Sequence, residues 1–178
     1  MREFKNLIVL GPLIYALHHF EEHILFNFRE WRLAYFPDNN PLPTEEVLVR
    51  LIALLLIFVF VHLIKNNRGS AHIVLFFLMT TQVVNAFFHI FYSFYFYDFS
   101  PGAITATILY LPINFLIIKA AYHEGYLRGY MELFLLFVGG VITFALFELI
   151  GPGVIAFSVL LTPLYYVLIN RAESAINN

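Results

Sequence analysis

Long apolar runs, broken at intervals by short polar stretches, set the pattern of this chain. They fall at about residues 7–27, 47–64, 71–97, 103–121, 131–150 and 154–169. Most approach the roughly 20 residues a helix needs to cross a hydrocarbon core of about 30 Å. They are continuous rather than alternating, so they predict helices and not the strands of an outer-membrane barrel. The breaks carry turn chemistry. Pro37, Pro41 and Pro43 make a loop of the polar stretch that begins at Arg29. Thr44, Glu45 and Glu46 read as a helix N-cap with acidic residues in the first turn, and Ser70 can cap the third run. Asp98-Phe99-Ser100-Pro101-Gly102 is a tight break, and Gly151-Pro152-Gly153 separates two final runs that form either two spans or one re-entrant pair. The expected fold is all-α: a polytopic integral membrane protein of about six transmembrane helices in one domain, residues 1–178.

Composition agrees with this class. Of 178 residues, 61% are hydrophobic and only 12% charged. The absence of cysteine excludes disulfides, thiolate metal sites and cysteine nucleophiles. A net charge of −2 without a basic cluster gives no support for a nucleic-acid partner. Lys and Arg orient the chain. Arg2, Lys5, Lys65, Arg68, Lys119, Arg128 and Arg171 fall on one side of the expected threading, and Arg29, Arg32 and Arg50 on the other. Cytoplasmic loops are the richer in these residues, so both termini are expected in the cytoplasm. The first segment lacks a small-x-small cleavage site and is expected to be retained.

Against this apolar background His18-His19-Phe20-Glu21-Glu22-His23 stands out, because ionisable groups in a bilayer are expensive and tend to be functional. In the threading above, His18, Glu21 and Glu22 of the first span, Asn85 and His89 of the third and Glu148 of the fifth all lie in the outer half of the membrane. A turn of 3.6 residues places Glu21 and Glu22 on either side of His18, with His19 and His23 further round. Gln82, Asn85 and His89 form a polar stripe on the third span, at i, i+3 and i+7. His62 lies late in an inward-running span and belongs to a different environment.

These residues also carry a resemblance. His18-His19-Phe20-Glu21-Glu22 resembles the His-x-x-Glu-Glu signature of the HXXEE membrane-protein family. Asn85-Ala86-Phe87-Phe88-His89 resembles that family's second histidine in its Asn-x-x-x-His setting. Phe99-Ser100-Pro101-Gly102, followed by Thr105 and Pro112, is similar to its Tyr-x-Pro-Gly turn, with Phe99 in place of the tyrosine. The likeness covers residues 7 to 120 or so and implies a membrane protein of uncharacterised function.

Two chemistries suit His18, Glu21, Glu22 and His89. Imidazole and carboxylate ligands on facing helices fit a divalent metal such as zinc, iron or manganese. Without a metal, the same set is a general acid/base pair or relay. Asn85 would orient one of the four, and Glu148 would support the site. Phe87, Phe88, Phe91, Tyr92, Phe94, Tyr95 and Phe96 would line a pocket for an apolar or cationic molecule. The expectation is an enzyme acting on a membrane lipid or another hydrophobic small molecule, with oligomerisation open. Two alternatives stand beside it: a proton- or ion-coupled small transporter, and a non-catalytic structural protein whose carboxylates pair with Arg29 or Arg32 in the headgroups. His19 and His23 are expected at the surface or behind the ligands, and His62 and His123 to be structural or solvated.

Overall fold

A computed structural model describes residues 3–38 and 42–177, with side chains to residue 174, and contains no strand among them. Arg2 of the charge count and Asn39, Asn40 and Pro41 of the expected loop lie outside the described residues. In chain order the helices are α1 (Glu3–Ile8), α2 (Leu10–Phe20), α3 (Phe28–Tyr35), α4 (Thr44–Lys65), α5 (Arg68–Leu78), α6 (Asn85–Tyr95), α7 (Ala103–Thr105), α8 (Leu111–His123), α9 (Tyr130–Ile150) and α10 (Gly153–Asn177). Three π turns join or extend them: Glu21–Leu25 after α2, Met79–Val84 between α5 and α6, and Ala106–Tyr110 between α7 and α8.

Five continuous helices among the described residues are long and apolar enough to cross a membrane: Thr44–Lys65, Arg68–Tyr95, Ala103–His123, Tyr130–Ile150 and Gly153–Ser174. Before them, α1 and α2 make a helical arm interrupted at Val9. Pro12 accounts for the interruption, since it has no N–H to give the carbonyl of Ile8 and its ring crowds that carbonyl.

The helix Arg68–Tyr95 is central. Its first two turns and more, from Arg68 to Leu75, are buried throughout, and α4, α9 and α10 pack around it. Without a hydrophobic drive between helices in lipid, close approach comes from small residues. Gly11 meets Leu78, and Gly140 meets Met79 and Thr80. Gln82 adds a polar tie. Its Nε2 donates to the carbonyl oxygen of Gly11 at 2.9 Å, and its Oε1 accepts from Asn114 Nδ2 at 2.8 Å, linking three helices.

Three expectations change. The stretch after Arg29 is not all loop: Phe28–Tyr35 is a helix, capped where Asn27 Oδ1 accepts from the Glu30 amide, with Trp31 buried beneath it. The third span opens at Arg68 with Asn67 as its cap, and Ser70 completes the capping box from inside the helix. The last span is longer than residues 154–169, because the polar residues after Ile169 contain no helix breaker and α10 runs on to Asn177.

Candidate functional site

The three π turns sit where the polar residues of the first, third and fourth segments meet. A π turn adds about one residue to a turn and is frequent at functional sites. The turn starting at Glu21 changes the angles expected of a regular helix. It brings Glu22 rather than Glu21 into the centre of the histidines.

Four imidazoles surround the Glu22 carboxylate. On its Oε1 side are His18 Nε2 at 3.4 Å and His89 Nε2 at 3.1 Å; on its Oε2 side are His19 Nδ1 at 2.6 Å and His23 Nε2 at 3.6 Å. Glu22, His18 and His89 are at most 2% exposed. Despite these short separations, His18 Nε2, His89 Nε2 and His19 Nδ1 make no hydrogen bond of acceptable direction. The donor atoms of His18, Glu22 and His89 all lie within 4.8 Å of one another, and so do those of His19, Glu22 and His23. Tetrahedral coordination with bonds near 2.0–2.1 Å would place ligand atoms roughly 3.3 Å apart. The inner trio has that spacing to Glu22.

The far nitrogens of the inner histidines are held by hydroxyls of one turn. His18 Nδ1 meets Thr105 Oγ1 at 2.9 Å, and His89 Nδ1 meets Ser100 Oγ at 2.9 Å. Thr105 donates its own proton to the carbonyl of Gly102, so its oxygen is left to accept from His18 Nδ1–H. That tautomer turns a bare Nε2 lone pair toward a carboxylate oxygen, and two acceptors face to face require a cation between them. The cation is either a proton or a metal. Anchoring the second nitrogen in this way is the usual support of a metal-ligating histidine.

Glu21 does something else. Its Oε1 accepts from the amides of Gly102 at 3.1 Å and Ile104 at 3.2 Å, and its Oε2 from that of Thr105 at 2.7 Å. A carboxylate on the unsatisfied amides of a helix start fixes the Ser100-Pro101-Gly102 turn. Glu21, expected among the ligands, joins neither donor group. Gly102 lies over the inner trio with φ of +98°, and a Cβ there would stand 2.7 Å from His18 Cε1 and 3.0 Å from both Glu22 Cγ and His89 Cε1. The Tyr110 ring, 4.4 Å from that of His18, and the Phe28 ring, 5.3 Å from that of His89, close the other sides.

A cavity of about 820 Å³ adjoins the cluster. Glu22, His19, His23 and Asn85 lie on its wall at one end, and Arg68, His72, Glu132 and Tyr165 at the other. Arg68 and Asn85 belong to one helical stretch, and 17 residues separate them, about 25 Å along the axis. Between these ends the wall is largely apolar, with Leu54, Phe58, Phe77, Leu136 and Phe147 beside the hydroxyls of Thr80 and Thr81.

The other expected residues are distributed as follows. Asn85 reaches the cavity, with its Oδ1 buried and free of hydrogen bonds, and does not touch the cluster. Glu148 also lines the cavity but is paired with Arg32, Nη2 to Oε2 at 2.9 Å. Of the aromatic residues on the third span, Phe88 lines the cavity, while Phe87, Phe91, Phe94 and Tyr95 face outward and Tyr92 and Phe96 pack on Phe36. His62 lies elsewhere, bonded to Ser70 Oγ, and His123 is exposed.

One grouping escaped notice in the sequence. His72 contacts the Tyr126 carbonyl and the Tyr165 hydroxyl, and Arg68 pairs with Glu132. The i, i+4 placement of Arg68 and His72 at the start of an apolar helix was the available signal.

A family model described as a protein of unknown function with HXXEE motif matches residues 9–117. The chain belongs to the HXXEE family. Comparison with curated proteins and with solved structures finds no match. All the residues of the inner trio and its supporting turn fall inside the matched region, whereas α9, α10 and with them part of the cavity wall lie beyond it.

Proposed function

We propose that this HXXEE protein is a membrane-embedded, metal-dependent enzyme acting on a lipid or another hydrophobic small molecule. His18, Glu22 and His89 hold a divalent ion of the zinc, iron or manganese group. The observation that carries this reading is the convergence of three buried donor atoms, with both outer imidazole nitrogens held by Thr105 and Ser100, beside a largely apolar cavity. A buried carboxylate needs a compensating cation, and neutral imidazoles leave that position to a metal. Two histidines and one carboxylate leave positions for a water or a substrate oxygen, which suits Lewis-acid activation.

Asn85, with its unbonded Oδ1 on the cavity wall, positions the bound molecule, while Glu21 acts through the turn that carries Thr105 and Ser100. With the α1–α2 arm taken as a sixth crossing, the Lys/Arg excess on one side supports both termini in the cytoplasm and the site in the outer half of the bilayer.

Elemental analysis of detergent-purified protein, beside a His18→Ala/His89→Ala variant that elutes normally on size exclusion, tests this. The expected result is bound metal in the wild type that the variant has lost. A wild type that takes up no zinc, iron or manganese would overturn the metal centre and move the His/Glu cluster to acid/base chemistry or ion-coupled transport.

A further inference from the structure

The inner trio uses only one oxygen of Glu22. Its other oxygen, Oε2, is the one that faces His19 Nδ1 at 2.6 Å and His23 Nε2 at 3.6 Å. These two histidines stand four residues apart with their rings parallel, 5.6 Å between centroids and 5° between planes. Neither ring nitrogen of His19 makes a hydrogen bond, although both are buried. The ring is fixed instead by an edge contact with Tyr15, 4.5 Å between centroids. An imidazole buried with both nitrogens unsatisfied costs stability unless something else binds it.

We propose that His19, Glu22 and His23 hold a second divalent ion, so that Glu22 bridges a dinuclear centre. This rests on the inner site proposed above and extends it. A carboxylate that binds one ion through each oxygen spaces them about 3.5–4 Å apart, the separation at which two metals act on one substrate group. Each ion would have two imidazoles and one carboxylate oxygen, a nitrogen-rich set suited to zinc, iron or manganese.

The two positions differ in access. His18 and His89 are fully buried and absent from the cavity wall, whereas His19, Glu22 and His23 lie on it. The inner ion is therefore the more enclosed of the two, and the outer ion adds open coordination positions nearer the molecule in the cavity. This also gives His19 and His23 a direct part in the site, where spacing alone had put them behind it. The π turn that starts at Glu21 is the local cause, since it brings His23 to the same carboxylate that His18 reaches one regular turn earlier.

The test is titration of metal-free, folded protein in detergent with Mn²⁺, reading bound equivalents and the electron paramagnetic resonance signal together. Wild type should bind two equivalents per chain, the second producing an exchange-coupled spectrum in place of an isolated Mn²⁺ signal. His19→Asn/His23→Asn should bind one equivalent with no coupled spectrum. Wild type saturating at one equivalent, or the double variant still binding two, would overturn the bridge while leaving the inner site standing. Wild type binding none would remove the inner site and the bridge together. If the double variant does not fold, the wild-type stoichiometry and its coupled or uncoupled spectrum still decide the matter.

Discussion

Gly102→Ala offers a sharp test of the idea that the Ser-Pro-Gly turn is pressed against the histidine–carboxylate cluster. Two costs add at this position. The first is backbone strain: φ of +98° lies where a residue with a Cβ rarely sits, at a cost of about 1–2 kcal/mol. The second is crowding, because the new Cβ would come within 2.7 Å of His18 Cε1 and 3.0 Å of His89 Cε1. Neither ring can retreat freely, since each Nδ1 is bonded to a hydroxyl and His18 also lies against Tyr110. Overpacking of this kind adds about 1–3 kcal/mol, so the sum is about 2–5 kcal/mol. Gly125 supplies the control: its φ is +77°, but nothing lies within 4 Å of its Cβ position, so Gly125→Ala carries the strain alone. Reversible unfolding in mixed micelles should therefore rank Gly102→Ala well below Gly125→Ala, with the difference equal to the crowding cost. Equal destabilisation by the two substitutions would refute the close contact between turn and cluster.

Other consequences follow from separate contacts. Glu21→Gln loses charge on three backbone amides and should cost about 1–3 kcal/mol of stability in the same unfolding assay. Its metal content, measured in the folded fraction, should stay at the wild-type level, whereas Glu22→Gln should lose metal; the reverse pattern would exchange the roles given to the two glutamates. Gln82→Leu removes the bond to the Gly11 carbonyl and one of the two bonds of the Asn114 amide, which keeps its bond to the Tyr110 carbonyl, and should cost about 1–3 kcal/mol. In a double-mutant cycle with Asn114→Leu the two effects should fall short of additivity, and strict additivity would deny their pairing. Arg32→Ala removes the bonds from Nε and Nη2 to Glu148 Oε2 and should lower stability, and in a double-mutant cycle with Glu148→Gln the two effects should fall short of additivity. Phe28→Ala uncovers the side of His89 and should speed metal removal by chelator; an unchanged rate would show that access lies elsewhere.

The membrane-spanning helices were legible because hydropathy over some 20 residues sums many small terms of one sign. The convergence of the first and third spans was legible too: His18, Glu22 and His89 meet, as the rarity of buried ionisable residues in apolar helices suggests. What the pattern could not provide was the division of labour within the site. Glu21 and Glu22 flank His18 almost symmetrically on a regular helix, and the π turn beginning at Glu21 decides which of them meets His89. No residue between 21 and 25 announces an i→i+5 turn, because π turns are set by tertiary contacts, here the amides of the Gly102 turn on Glu21. The aromatic residues misled for a related reason. Their number reflects the exposed face at the end of an otherwise central helix, and helical phase sends Phe87, Phe91 and Phe94 outward while, among these aromatic residues, Phe88 alone reaches the cavity. The helix Phe28–Tyr35 was missed because its charged surface resembles a loop, and only Asn27 with Glu30 marks its start.

The adjacent glutamates are best understood as one device in which each needs the other. Glu21 binds the backbone amides of the turn; the turn presents Thr105 and Ser100; these hydroxyls set the outer nitrogens of His18 and His89; and the inner nitrogens then converge on Glu22, which the helix has placed beside Glu21. The circuit closes through covalent neighbours, so a shift of the turn is felt by the histidines and by the carboxylate alike. Two histidines from segments about 70 residues apart in the chain are thereby oriented through side-chain hydroxyls, with neither ring bonded to the backbone. Consecutive acidic residues in a membrane helix would be a costly way to supply a single ligand. They become economical when one of them holds the frame and the other faces the histidines.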